Sequence, residues 1–215
     1  MFNFCNKKIV SIASYFSAIN SQDITVFLNL IGKTIQLWSG MKLSGRIYGN
    51  YSEKNYPERV LALEKMIEVC EQYDYNDLNG FLLHSNRGNN NESSVQISIG
   101  FFEETNHVLI SINKNKLSIS NNQFFNLLDE LSKICNFNYG MIFKSRNFEN
   151  AIMYGSYGKN NDFFNFKKID LSENDFVKLK EGYFRNLQKT NFVTDIHLKR
   201  IADYYDLKKS IEKKT

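Results

Sequence analysis

The sequence of 215 residues is poor in the residues that break regular structure, with one proline and eleven glycines. Such a composition excludes collagen-like and low-complexity chains. Hydrophobic residues make up 42% and aromatic residues 14%, well outside the disordered range. No segment approaches the roughly 18 uninterrupted apolar residues of a membrane span. We therefore expect a globular chain with a sizeable core and no membrane association.

The few cysteines and histidines do not have the spacing of a metal or redox site. No CxxC, HExxH or H-x3-H pattern occurs, and metal sites need convergent ligands. The residues concerned are Cys5, Cys70, Cys135, His84, His107 and His197. We interpret Cys70 and Cys135 as core residues on apolar helix faces, with a disulfide or metal role as the alternative. The sequence predicts no metal and no cofactor.

Catalytic motifs are also absent. Neither a G-x-x-x-x-G-K-[ST] loop nor a G-x-S-x-G elbow occurs. Segment 154–158 (YGSYG) lacks the strand–loop–helix context of a dinucleotide site, and we predict a turn or strand edge there. The one E-x-K nuclease pattern begins at Glu212, near the end of the sequence. We predict that the protein is not an enzyme; a site assembled from distant residues is the alternative.

The N-terminus bears a partial likeness to a signal peptide, because Lys7 and Lys8 precede a short apolar stretch. Polar residues interrupt that stretch, and Ile9, Ile12 and Phe16 also fit one helical face. We therefore predict a cytoplasmic protein.

Hydrophobic periodicity predicts an α+β fold, with a helical extension at 1–33 and a single domain at 34–215. Strands are predicted at 34–48, 95–101, 108–112, 137–144 and 150–155. Helices are predicted from Pro57 to before Asp77, after the Ser120–Gln123 capping box, after Ser172, and from Thr194 or Asp195. The order over 34–144 suggests an antiparallel sheet with helices packed mainly on one face.

Charge is distributed unevenly along the chain. Residues 51–80 contain seven acidic and three basic side chains, whereas residues 176–215 contain five acidic and ten basic ones. On the predicted helix from Pro57, the acidic side chains form an outward ridge. The candidate partner-binding residues are Glu64, Glu68, Glu71, Asp74 and Asp77. Such a ridge is either a solvated face or a surface for a basic protein partner.

The basic C-terminal region supports an alternative function. Its lysines and arginines are interleaved with Phe184, Phe192, Tyr204 and Tyr205. Basic and aromatic side chains together line single-stranded nucleic-acid grooves. The same pattern also fits a helix with a solvated basic face, and no known nucleic-acid module accompanies it. Nucleic-acid binding is therefore the runner-up hypothesis.

Two segments resemble a known family. Residues 182–186 (GYFRN) and 191–198 (NFVTDIHL) resemble a G-x-x-R-[DN]…N-[FL]-[LV]-x-x-x-H-L pattern of bacterial polymorphic-toxin immunity proteins. The group in question is paired with restriction-endonuclease-like toxins. Segments 45–49 (GRIYG) and 154–158 are similar to that group as well, so that the resemblance covers about residues 41–200.

The resemblance implies binding rather than catalysis. Members of such families bind a cognate toxin and occlude it, including toxins delivered by type VI secretion. It further implies that Arg185, Asn191 and His197 hold the fold together or shape the binding surface. From the residues alone, Arg185 and Asn191 could equally be hydrogen-bonding groups of loops and helix ends. The net charge of +4 departs from the acidic character common among nuclease inhibitors.

Overall fold

The computed structural model describes residues 9–17, 24–49, 60–72, 78–85, 93–101, 106–157, 181–182, 188 and 190–212, with the backbone alone at 156–157 and 204–212. The strands in this part of the chain are β1 (Ile9–Phe16), β2 (Leu43–Gly49), β3 (Leu61–Ala62), β4 (Leu78–Ser85), β5 (Val95–Gly100), β6 (Asn106–Asn113), β7 (Phe137–Ser145) and β8 (Thr190–Phe192). The helices are α1 (Ile24–Ser39), α2 (Leu63–Cys70), α3 (Asn121–Ile134), α4 (Phe148–Tyr157) and α5 (Asp195–Glu212).

All eight strands form one antiparallel sheet in the order β3-β2-β4-β5-β6-β1-β7-β8. The β5–β6 hairpin was predicted from alternating apolar residues, and it is confirmed with Ile97 opposite Ile110. The predicted α+β class and antiparallel sheet are therefore confirmed.

Helices cover both faces of the sheet. On one face, α1, α2 and α3 enclose the larger core, which includes Phe27, Leu63 and Phe124. On the other face, α4 covers a smaller core around Ala13, Leu109 and Met141. Three helices therefore lie on one face of the sheet, whereas α4 and the start of α5 lie on the other.

The predicted helical extension at 1–33 is not what the structure shows at its described residues. Residues 9–16 are β1, which pairs with β6 on one side and β7 on the other. Every residue of β1 is buried, because both faces of this central strand are covered. Among the described residues of this segment, the helix begins at Ile24.

The strand predicted at 34–48 is wrong over its first part. Residues 34–39 are the last turns of α1, whose buried stripe includes Ile31 and Ile35. The helix ends because Gly40 adopts a left-handed conformation (φ +63°) and donates its N–H to the Gln36 carbonyl oxygen at 2.8 Å. The strand then begins at Leu43.

Of the two predictions made from local sequence near α3 and α4, the first is confirmed and the second is wrong. The capping box is confirmed, since the Ser120 side chain accepts from the Gln123 N–H and the Gln123 side chain accepts from the Ser120 N–H. The strand predicted at 150–155 is wrong, because those residues belong to α4. The Asn150 N–H donates to Asn147 Oδ1 at 2.7 Å, so an asparagine caps this helix. The start predicted after Ser172 lies outside the described residues.

The free thiols at Cys70 and Cys135 are buried. Burial raises the pKa of each to about 12, with a further contribution from Glu71 at Cys70. Both thiols therefore stay protonated and behave as small core side chains. Cys5 lies outside the described residues.

Candidate functional site

The acidic ridge, formed by Glu64, Glu68 and Glu71, lies on the side of a short helix that faces away from the sheet. The helix α2 begins at Leu63, after the two residues of β3, rather than at Pro57 as predicted, and it ends at Cys70. Leu63, Met66 and Cys70 are buried against the larger core. Their spacing of three and four residues fixes the opposite side of the helix outward.

Three carboxylates occupy that outward side. Glu64, Glu68 and Glu71 are all exposed. Lys65 is paired with Glu68 at 2.6 Å between Nζ and Oε2, an exposed ion pair of the kind that adds little stability. The structure therefore places the three together, as the helical spacing indicates. Asp74 and Asp77 lie outside the described residues.

Asn191 and His197, the two described candidate residues of the segment 182–198, lie on the other face of the sheet. Tyr139 of β7 is fully buried, and its hydroxyl donates to Asn191 Oδ1 at 2.7 Å. The Asn191 side chain in turn donates to the Gln188 carbonyl oxygen at 2.8 Å. The Gln188 side chain donates to the Tyr154 hydroxyl at 2.8 Å. Asn191 thus ties β8 and the segment before it to β7 and α4.

His197 fixes the first turn of α5 onto the same tyrosine. Its ring is fully buried and stacks on Tyr139 at 5.6 Å between centroids. The backbone N–H of Thr194 donates to Nδ1 at 3.3 Å, and the Thr194 hydroxyl lies 2.9 Å from the same nitrogen. Asn191 and His197 therefore meet around Tyr139, away from the acidic ridge. Arg185 lies outside the described residues.

The three histidines do not converge. His84 is half-buried on β4, His107 is buried on β6 with its ring over Gly100, and His197 lies near β7. In the described part of the chain, no cluster of three or more His, Cys, Asp or Glu residues could hold a metal ion.

The face of β2, β4 and β5 opposite the larger core is polar. The cross-strand register aligns Arg46 with Leu82 and Ser98, and Ser44 with His84 and Gln96. Burial lowers the pKa of His84 from its ordinary 6.5, and the charge of Arg46 lowers it further.

We expect His84 to titrate below pH 6.5 in the folded protein. Because folded His84 binds a proton more weakly than unfolded His84, the free energy of unfolding should fall as pH drops below about 6.5. The imidazole NMR titration measures this pKa. In Arg46→Gln the pKa should rise yet remain below the ordinary value, since burial persists. A wild-type pKa at or above 6.5 would contradict the expectation.

A further exposed feature is the outer side of α1, which the sequence prediction missed. Val26, Leu30, Lys33 and Leu37 follow one another at intervals of three and four residues, on the side opposite the buried stripe. Val26 and Leu37 are exposed, and Leu30 is partly buried. We call these four residues the outer ridge of α1. The detectable signal was a helix with apolar residues on two opposite sides.

The basic C-terminal region is only partly described. Lys199 and Arg200 are exposed on α5, and Arg200 Nε donates to the Glu181 carbonyl oxygen at 3.0 Å. Leu198 and Ile201, on the predicted apolar side, are exposed as well. Phe192 is part-buried and contacts Phe125 edge-to-face at 5.4 Å. Nucleic-acid binding by this region stays a prediction.

The chain was compared with protein families, curated proteins and solved structures. No family model and no curated protein matches it. A Pseudomonas aeruginosa T6SS protein of known structure is similar to 63% of this chain, with a TM-score of 0.46 and 11% identity. The match spans 40% of that protein, and a likeness this distant assigns no function. No helix of the described residues is long and apolar enough to cross a membrane.

Proposed function

We propose that this protein is an immunity protein, which binds a cognate toxin in the cytoplasm and occludes it without catalysis. The observation that carries the proposal is the exposure of Glu64 and Glu68 on α2 and of Glu71 directly after it, on one side of the helix. Carboxylates grouped in this way attract a basic surface and accelerate encounter. The motif resemblance at 182–198 supports the same function.

The helix layer as a whole has the charge that such a partner requires. Helices α1, α2 and α3, with Glu71 after α2, carry five acidic and three basic side chains, although the whole chain carries a net charge of +4. Lys65 and Lys133 are each paired with carboxylates of their own helix. Charge complementarity therefore favours a basic protein at this layer.

The proposal is tested with the product of the neighbouring gene. Co-expression should rescue cells from that product, and the two proteins should co-purify. Replacing Glu64, Glu68 and Glu71 with lysine should lower the association rate at least about tenfold at low salt, with a smaller effect at high salt. Stopped-flow or surface-based kinetics measure both rates.

The matched control reverses three exposed acidic residues on α4 and α5, namely Glu149, Asp195 and Asp203. It changes the net charge by the same amount on the other side of the sheet. Equal slowing in both triple variants would remove α2 from the interface. Failure to bind and to rescue would refute the immunity function.

A further inference from the structure

The outer ridge of α1 is more apolar and more exposed than folding requires. The exposed fraction is 82% for Leu37 and 51% for Val26. The opposite side of the same helix already supplies Phe27, Leu28 and Ile31 to the core. Single exposed apolar residues are ordinary on protein surfaces, whereas here Val26 and Leu37 share one side of a helix with the half-buried Leu30 and the exposed Lys33 between them, which suits a contact site.

The position of α1 places this row in the middle of the helix layer. On one side Leu63 of α2 packs over Gly32, where an added Cβ would lie 2.3 Å from Leu63 Cδ2. On the other side Trp38 contacts Phe124 of α3 edge-to-face at 6.1 Å. The outer ridge is therefore flanked by α2 and α3. An apolar centre with a charged rim is the usual arrangement of a protein interface.

We infer that the outer ridge of α1 is the apolar anchor of the interface, and that its partner is a protein with an apolar recess bordered by basic side chains. This inference rests on the proposed function and adds what the partner must look like. Leu37 is the side chain that enters the recess, because it has the largest exposed fraction in the ridge.

Charge argues against other occupants. Nucleic acids and anionic lipid surfaces are negatively charged, and so on balance is the helix layer, with five acidic side chains against three basic ones, Lys33 of the ridge included. A second copy bound through a two-fold axis would bring the same acidic residues of both chains into one interface. A basic protein is the occupant for which the rim is attractive.

The experiment compares Leu37→Asp with Ile201→Asp, the same kind of change at a residue that is 36% exposed on α5 and lies outside the segment 182–198. Dissociation from the neighbouring gene product should be at least about tenfold faster for Leu37→Asp, and unchanged for Ile201→Asp. The association rate should change much less than in the triple lysine variant of α2. Because Leu37 is exposed, the thermal midpoint of Leu37→Asp should match that of the wild type. If the aspartate variant misfolds, Leu37→Ser is used in its place.

Each outcome has a distinct meaning. Binding that is insensitive to Leu37→Asp overturns the anchor and leaves the immunity function intact. A wild-type chain that does not bind the neighbouring product overturns the function, and with it the inference. Sedimentation velocity of the chain alone gives the third outcome: a dimer that dissociates in Leu37→Asp would make the ridge a self-association surface and overturn the toxin as its occupant.

Discussion

Removal of residues 1–23 should abolish folding of the remaining chain. Strand β1 lies between β6 and β7, and all eight of its residues pair with β6. Without it, β6 and β7 lose their shared neighbour, and the cores on both faces lose buried side chains, among them Ile12 and Tyr15. Circular dichroism and thermal denaturation of the truncated chain should show no cooperative transition.

A pair of point variants tests the same strand without deletion. Ile12 of β1 is 2% exposed, and Ile12→Ala should lower the free energy of unfolding by about 2–4 kcal/mol, because it leaves a cavity between the sheet and the helix layer. Val26→Ala, on the exposed side of α1, should change it by less than about 0.5 kcal/mol. Chemical denaturation measures both values. Equal, small losses would mean that β1 is a dispensable extension.

The misreading of β1 has a physical cause. Ile9, Ile12, Ala13 and Phe16 fit a helical spacing, and a strand buried on both faces loses the alternation that identifies strands. The polar residues of β1 do not indicate a strand either, because they are buried as well. Ser11, for example, hydrogen bonds to Ser111 at 2.8 Å between hydroxyl oxygens. Only the neighbouring strands, distant in sequence, determine this conformation.

Signals that act over a few residues were more reliable. The Ser120 capping box involves groups three positions apart, and it specified the start of α3 correctly. The same reasoning applied to Asn147 would have found α4. Gly155 obscured that helix, although its lack of a side chain is what lets α4 approach the sheet: a Cβ there would lie 2.7 Å from Leu109 Cδ1.

The candidate sites also differ in whether a local sequence pattern could predict them. The outward position of Glu64, Glu68 and Glu71 follows from helical spacing alone and could be predicted. The meeting of Asn191 and His197 around Tyr139 depends on pairing between β7 and β8, which no local pattern encodes. The outer ridge of α1 was missed because 34–39 was predicted as a strand, which separated Leu37 from Val26.

Tyr139→Ala should be the most destabilising single substitution on the α4 side of the sheet. Tyr139 stacks between Tyr15, at 6.2 Å, and His197, at 5.6 Å. It also donates to Asn191. Truncation of this fully buried ring should therefore lower the free energy of unfolding by about 3–5 kcal/mol. Chemical denaturation measures the loss, and hydrogen exchange should show weaker protection at the start of α5.

Tyr139→Phe separates the ring from its hydroxyl. It keeps both stacking contacts and removes only the bond to Asn191, so that the expected loss is about 1 kcal/mol. In Asn191→Ala the same bond is already absent, and adding Tyr139→Phe should cost less there than in the wild type. If Tyr139→Ala lost no more than Tyr139→Phe, the stacked rings would not be what holds α5.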